Sequence, residues 1–214
     1  MSDVWKIAAA QIDIAVGQVE ARMEATLAET AQAGARLTVF PECALTGYCF
    51  DSLADAWPFA EEVPGPATER LAKSCAGHNV YAVMGMLERE GDKLYNTAVL
   101  VGPEGVVGRY RKVHLPYLGI DRFTTPGDKF EVWDADGLRI GMNICYDGAF
   151  PESSRVMARA GADLICLPTN WPPAASTCST HTAESTAGPC VSSQVGFPQP
   201  VRCPRTSIRS LTAN

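Results

Sequence analysis

Apolar residues fall in short blocks along the first 170 positions, and the period within each block separates strand from helix. Residues 4–11 form an apolar run of strand length. Residues 19–34 are Ala-rich and close on Gly34, as a helix with a C-terminal glycine does. Residues 37–40 make a short buried strand stopped by Pro41. Residues 67–77 read as a helix behind Pro64-Gly65-Pro66, followed by a strand over 80–88. Strands over 95–101, 106–110, 131–135 and 138–144 come next, parted by the turn residues Gly102-Pro103-Glu104-Gly105 and Asp136-Gly137. Pro151 suits a helix start and leads into 152–160, and 164–167 is a last strand. Helices alternating with buried strands predict a layered α/β fold, and the run of consecutive strands predicts antiparallel stretches within its sheet.

The pattern stops near Pro172-Pro173. Residues 173–214 hold 7 Ser, 6 Thr, 5 Pro and 3 Cys, and their only charges are Glu184, Arg202, Arg205 and Arg209. No helical or strand period continues there beyond 195–197. The two regions are therefore an α/β domain over 1–172 and a Ser/Thr/Pro-rich tail over 173–214. Such a tail has too little apolar area to offset its ordering entropy and is expected to be disordered.

Composition narrows the function classes. The chain has 214 residues, 46% of them hydrophobic, with a formal net charge of −6. That charge gives no electrostatic footprint for nucleic acid or an anionic membrane, so neither is an expected partner. The apolar runs are too short to span a bilayer, and Met1-Ser2-Asp3-Val4-Trp5-Lys6 lacks a secretory pattern, so the expected location is cytoplasmic. The 8 cysteines include no CxxC pair, and His78, His114 and His181 are not spaced as ligands. Free thiols, with no metal and no cofactor, are the expectation.

Three ionisable residues each follow a predicted strand: Glu42, Lys112 and Cys145. Groups at strand ends of layered α/β folds converge on one rim, where ligands bind. Singly, Glu42 reads as a turn residue, Lys112 as part of a solvated basic cluster with Arg109 and Arg111, and Cys145 as an inert buried thiol. Together they supply a nucleophile, a base to take its proton, and a cation for the charge that develops on an attacked carbonyl oxygen.

The segments around them resemble the nitrilase superfamily of carbon–nitrogen hydrolases. The resemblance rests on Phe40-Pro41-Glu42-Cys43-Ala44-Leu45-Thr46-Gly47-Tyr48, Tyr110-Arg111-Lys112-Val113-His114-Leu115-Pro116 and Ile144-Cys145-Tyr146-Asp147 with Phe150-Pro151-Glu152. Leu167-Pro168-Thr169-Asn170-Trp171-Pro172 and the opening Ile7-Ala8-Ala9-Ala10-Gln11 are also similar. It implies a four-layer αββα sandwich, with Glu42 as general base, Lys112 as oxyanion stabiliser and Cys145 as nucleophile. The implied substrate is a small amide, carbamoyl compound or nitrile, cleaved through a thioester. Family homodimers are commonly built through helices.

Tyr48, Tyr117, Tyr146, Asn170 and Trp171 are candidates for substrate binding, and the N–H of Tyr146 for a second oxyanion donor. Where many relatives carry a second glutamate after the lysine, residues 113–130 contain none, and Asp121 is the candidate for that place. The family's later helix and strands have no counterpart in 173–214. The change of composition resembles a wrong reading frame, so a truncated or frameshifted product is expected, with the second sheet incomplete and dimer formation uncertain. Two other readings stay open on the sequence: a non-catalytic binding or assembly module of this fold, and a thiol hydrolase pairing Cys145 with His114 or His78.

Overall fold

The computed structural model describes residues 4–12 and 19–170, and the backbone of 207–213. A six-stranded sheet has the order β5-β4-β3-β2-β1-β9, and a three-stranded sheet the order β6-β7-β8. The chain runs β1 (Trp5–Gln11), α1 (Val19–Gln32), β2 (Leu37–Val39), the short α2 (Leu53–Ala56), α3 (Pro66–His78), β3 (Tyr81–Glu90), β4 (Lys93–Gly102) and β5 (Gly105–Arg111). It continues through β6 (Val132–Ala135), β7 (Leu138–Met142), α4 (Pro151–Arg159), β8 (Leu164–Cys166) and β9 (Ser207–Ala213).

Strand alternation builds the layers. On β3, Ala82, Met84 and Met86 pack with Met23 and Leu27 of α1 and Leu71 and Cys75 of α3, while Val83 packs to the opposite side. On β4, Val99 and Val101 join the helical side, and Ala98 and Leu100 meet Ile140 and Met142 of β7. Both faces of the large sheet are thus covered, which is why β3 and β4 read as continuous apolar runs. Met157 of α4 packs against Gly141 of β7 and supplies the outer layer of the small sheet. The result is the expected αββα order: α1 and α3, the large sheet, the small sheet, then α4. Among the described residues no helix is long and apolar enough to cross a membrane.

Strand directions fix where the loops emerge. β1, β2 and β3 pair in parallel, and β3–β4 and β4–β5 are antiparallel. β2, β3 and β5 therefore run the same way, and the residues after β2 and after β5 leave the sheet at one end. In the small sheet, Asp136 (φ 52°) and Gly137 (φ 85°) form the left-handed turn between β6 and β7 that an Asp-Gly pair encodes.

Two expectations are corrected. The strand read over 138–144 ends at Met142; Asn143 still donates its N–H to Cys166 O at 2.9 Å, but Ile144 donates to the Asp147 carboxylate, so the chain turns before Cys145. The tail read as lacking regular structure contains β9, whose backbone pairs antiparallel with all of β1, from Trp5↔Ala213 to Gln11↔Ser207. Without it β1 would be an edge with a row of unpaired N–H and C=O groups. Main-chain pairing asks little of side chains, so composition does not announce it. The expectation for 173–206 lies outside the described residues.

Candidate active site

Each of the three ionisable residues is placed by backbone bonds just beyond its strand. After β2, Phe40 donates its N–H to Val83 O (2.8 Å) and Leu45 to Gly85 O (3.2 Å), which lays Glu42 over β3. Lys112 directly follows β5; its N–H donates to Asn96 O and its carbonyl accepts from Gly127 N–H, both at 2.8 Å. Cys145 opens a 3-10 turn, Cys145–Ala149, at a left-handed φ of 45°, and donates its N–H to Pro168 O at 2.9 Å.

The side chains meet in one network. Lys112 Nζ lies 2.7 Å from Glu42 Oε1 and 2.6 Å from Asp121 Oδ2. Glu42 and Asp121 are themselves 0% and 1% exposed. Asn96 Nδ2 donates to Glu42 Oε1 (2.8 Å) and to Asp121 Oδ1 (2.9 Å). The N–H of Asn170 donates to Glu42 Oε2 at 3.0 Å. The Cys145 thiol lies close enough to Glu42, Lys112 and the Asn170 N–H for all three to act on it electrostatically.

With both carboxylates ionised, one cation between them gives the cluster a formal charge of minus one. Burial and the Glu42 charge push the Cys145 thiol up, against the pull of Lys112, so the resting sulfur is a neutral thiol. Burial likewise raises the Glu42 carboxyl, with Lys112 opposing. Burial alone would lower Lys112, but the Glu42 and Asp121 charges outweigh it and hold the ammonium well above its ordinary range. The arrangement thus holds a protonated thiol against an acceptor carboxylate, with a fixed positive charge beside both.

A second buried carboxylate ties the lysine segment to the cysteine turn. Asp147 Oδ1 accepts from His114 N–H (2.9 Å) and pairs with His114 Nδ1 (2.8 Å). Its Oδ2 accepts from Tyr110 O–H (2.7 Å) and Ile144 N–H (3.1 Å). His114 also stacks on Phe150 with centroids 3.8 Å apart. Asp147→Asn replaces an acceptor by a donor at a site ringed by donors, and is expected to destabilise the fold by about 2 kcal/mol. The check is a lower urea midpoint at unchanged slope; an unmoved midpoint would contradict the clamp.

The remaining candidates separate. Tyr48 O–H shares its proton between Leu118 O (2.9 Å) and Asp121 Oδ2 (3.0 Å), so it belongs to the network. Asn170 joins through its main chain. Tyr146, next to the thiol, is 41% exposed and stands edge-on to Phe150. Tyr117 is 77% exposed and is not packed into the cluster. Trp171 lies outside the described residues. Among the described residues no hydrogen bond joins Cys145 to a histidine: His114 holds Asp147 through Nδ1 and stacks on Phe150, and His78 is an exposed residue closing α3. Sequence reasoning missed Asn96 and the hub role of Asp147. The signal for Asn96 was a single amide inside the apolar block 95–101. Among the described residues no group of three His, Cys, Asp or Glu could hold a metal ion.

Comparison with known proteins adds to this geometry. The sequence model for carbon-nitrogen hydrolases matches residues 6–203. A nitrilase from Pyrococcus abyssi is 42% identical over 151 residues, 70% of this chain and 57% of that protein. The human omega-amidase NIT2 is 31% identical over 150 residues, 65% of this chain and 53% of that protein. The chain thus spans a little over half the length of these curated relatives. Among solved structures, the carbon-nitrogen hydrolase from Helicobacter pylori G27 superposes with a TM-score of 0.73 at 20% identity, over 81% of this chain and 63% of that one. Saccharomyces cerevisiae Nit3 does so with a TM-score of 0.70 at 24% identity, over 80% and 66%.

Proposed function

Because the chain belongs to the carbon–nitrogen hydrolase family, we propose that it hydrolyses a non-peptide carbon–nitrogen bond in a small amide or N-carbamoyl compound, or a nitrile, through a thioester on Cys145. The observation that supports this most is the cluster itself: a thiol under the influence of a buried carboxylate that is bonded to a buried ammonium, from three distant segments.

For an amide, the sulfur of Cys145 attacks the carbonyl carbon as its proton passes to Glu42. Concerted transfer is required because the resting thiol is neutral and the cluster already carries one excess negative charge. The carbonyl π pair moves to oxygen, and the resulting oxyanion faces Lys112, with the N–H of Tyr146 as second donor. The carbon–nitrogen bond then breaks, Glu42 returns its proton to the departing ammonia or amine, and a thioester remains. Water attacks the thioester as Glu42 takes its proton, the carbon–sulfur bond breaks, and the proton goes back to Cys145 as the acid leaves. Asp121 touches neither sulfur nor substrate in this sequence; it holds Lys112 charged and in place.

The test offers short amides, N-carbamoyl amines and nitriles, measures ammonia release, and searches by denaturing mass spectrometry for an acyl adduct on the Cys145 peptide. Release with an adduct in the wild type, and neither in Cys145→Ala, is the expected result. Equal release from both proteins, or none from either, would sink the reading and leave a binding or assembly module of this fold.

A further inference from the structure

Asn96 is not one of the three groups that act in the proposed reaction, yet it touches all of the charges around them. Its carbonyl accepts the N–H of Lys112, which sets the start of the lysine side chain. Its amide nitrogen reaches both carboxylates. It is 1% exposed on β4, flanked two residues away on either side by the buried apolar Leu94 and Ala98. A buried amide there has one arrangement that satisfies it. The Cys43 thiol lies 3.6 Å from Asn96 Oδ1 and donates to it, which turns the nitrogen end toward the acids. Reversed, the amide oxygen would face two carboxylate oxygens.

We propose that Asn96 is the positioning residue of the base: one amide nitrogen bridging Glu42 Oε1 and Asp121 Oδ1 holds two like charges beside a single lysine, so that Glu42 stays ionised and remains the group that takes the Cys145 proton. The inference rests on the reading of Glu42 as base. The groups facing Glu42 are Lys112 after β5, Asp121 from the turn Gly119–Arg122, Tyr48 and Cys43 from its own loop, Cys145 from its turn, and the Asn170 N–H. Only Lys112 is a cation. With the amide removed, only Lys112 and the Asn170 N–H oppose burial and the repulsion from Asp121, and Glu42 becomes easier to protonate.

The experiment follows alkylation of Cys145 by iodoacetamide across pH, read on the Cys145 peptide by mass spectrometry, and so needs no substrate. In that reaction sulfur displaces iodide, the new sulfur–carbon bond forms as the carbon–iodine bond breaks, and the thiol proton goes to Glu42. The rate should fall at low pH as Glu42 is protonated, and Glu42→Gln should abolish that limb. In Asn96→Leu, which keeps the main-chain bond to Lys112, the limb is expected to move up by about one pH unit. In Asn96→Leu/Asp121→Asn it is expected to return toward lower pH, because the repelling charge is gone. A merely structural asparagine would slow alkylation at every pH without moving the limb, and that result overturns the inference. If Asn96→Leu does not fold, Asp121→Asn against the double variant reads the same step: an upward displacement supports the bridge and coincident limbs refute it. A limb unaffected by Glu42→Gln would refute base and bridge together. A shifted limb without any turnover of amides would retain the bridge and remove only the hydrolase reading.

Discussion

Lys112→Met is expected to unfold at a much lower urea concentration than the wild type, with a loss of about 3–5 kcal/mol. The ammonium is 1% exposed and bonded to two carboxylates that are buried as fully as it is. Removing it leaves two like charges with no cation between them, where the amide of Asn96 alone cannot compensate. A domain of this size commonly has about 5–15 kcal/mol in all, so the loss takes a large part of it. The wild-type contribution is insensitive to neutral pH. Lys112 has a folded-state value raised above the ordinary 10.5, so its stabilisation is fully present below that value and fades only as pH climbs past the raised one.

The variant behaves differently. Its stranded carboxylates take up protons more readily folded than unfolded, so its deficit against the wild type should shrink from pH 8 toward pH 5. Adding Glu42→Gln and Asp121→Asn should recover most of the stability with no activity. On the proposed reaction, in which Lys112 faces the oxyanion, Lys112→Met alone should also lose roughly 100- to 1000-fold in kcat, the usual effect of removing such a donor. A midpoint within experimental error of the wild type would show that Lys112 is not the counter-charge of the cluster.

Much of this arrangement is legible in the sequence. The alternation of 80–88 and 95–101, the Asp-Gly turn and the proline at the start of α4 gave the layers, because period and turn chemistry are local properties. The positions of Glu42, Lys112 and Cys145 were legible as strand ends with a shared chemistry. Asn96 was not, since a polar residue within an apolar strand reveals that it needs partners but not which segments bring them. Asp147 bonds residues 33 and 37 positions away, and no local pattern carries that information. β9 was invisible for a different reason: main-chain pairing across about 200 residues of sequence leaves almost no trace in the side chains.

Gly85 joins these long-range contacts to the chemistry, and Gly85→Ala is the second large effect expected. The glycine sits mid-strand on β3, opposite Ala98 of β4, where an apolar side chain would ordinarily be favoured. A Cβ there would lie 2.4 Å from Pro41 O, 2.5 Å from Cys43 N and 2.7 Å from Glu42 Cα. All three are backbone atoms of the segment that carries Glu42, so no side-chain rotation relieves the overlap. Either β3 or the 41–43 segment must move, and β3 is held by β2 and β4 on its two edges while both faces are packed. The mobile partner is therefore the segment that carries Glu42. Overpacking of this kind falls at the upper end of its usual range, about 3 kcal/mol. A displacement of even 1 Å would also draw Glu42 Oε1 away from Lys112 and Asn96 together. Gly85→Ala should thus lower both the urea midpoint and the alkylation rate of Cys145, whereas Gly77→Ala, inside α3 with nothing near its added carbon, should leave the alkylation rate unchanged and raise the midpoint slightly, by up to about 1 kcal/mol of stability. Equal behaviour of the two variants would mean that the 41–43 segment does not rest on β3 in solution.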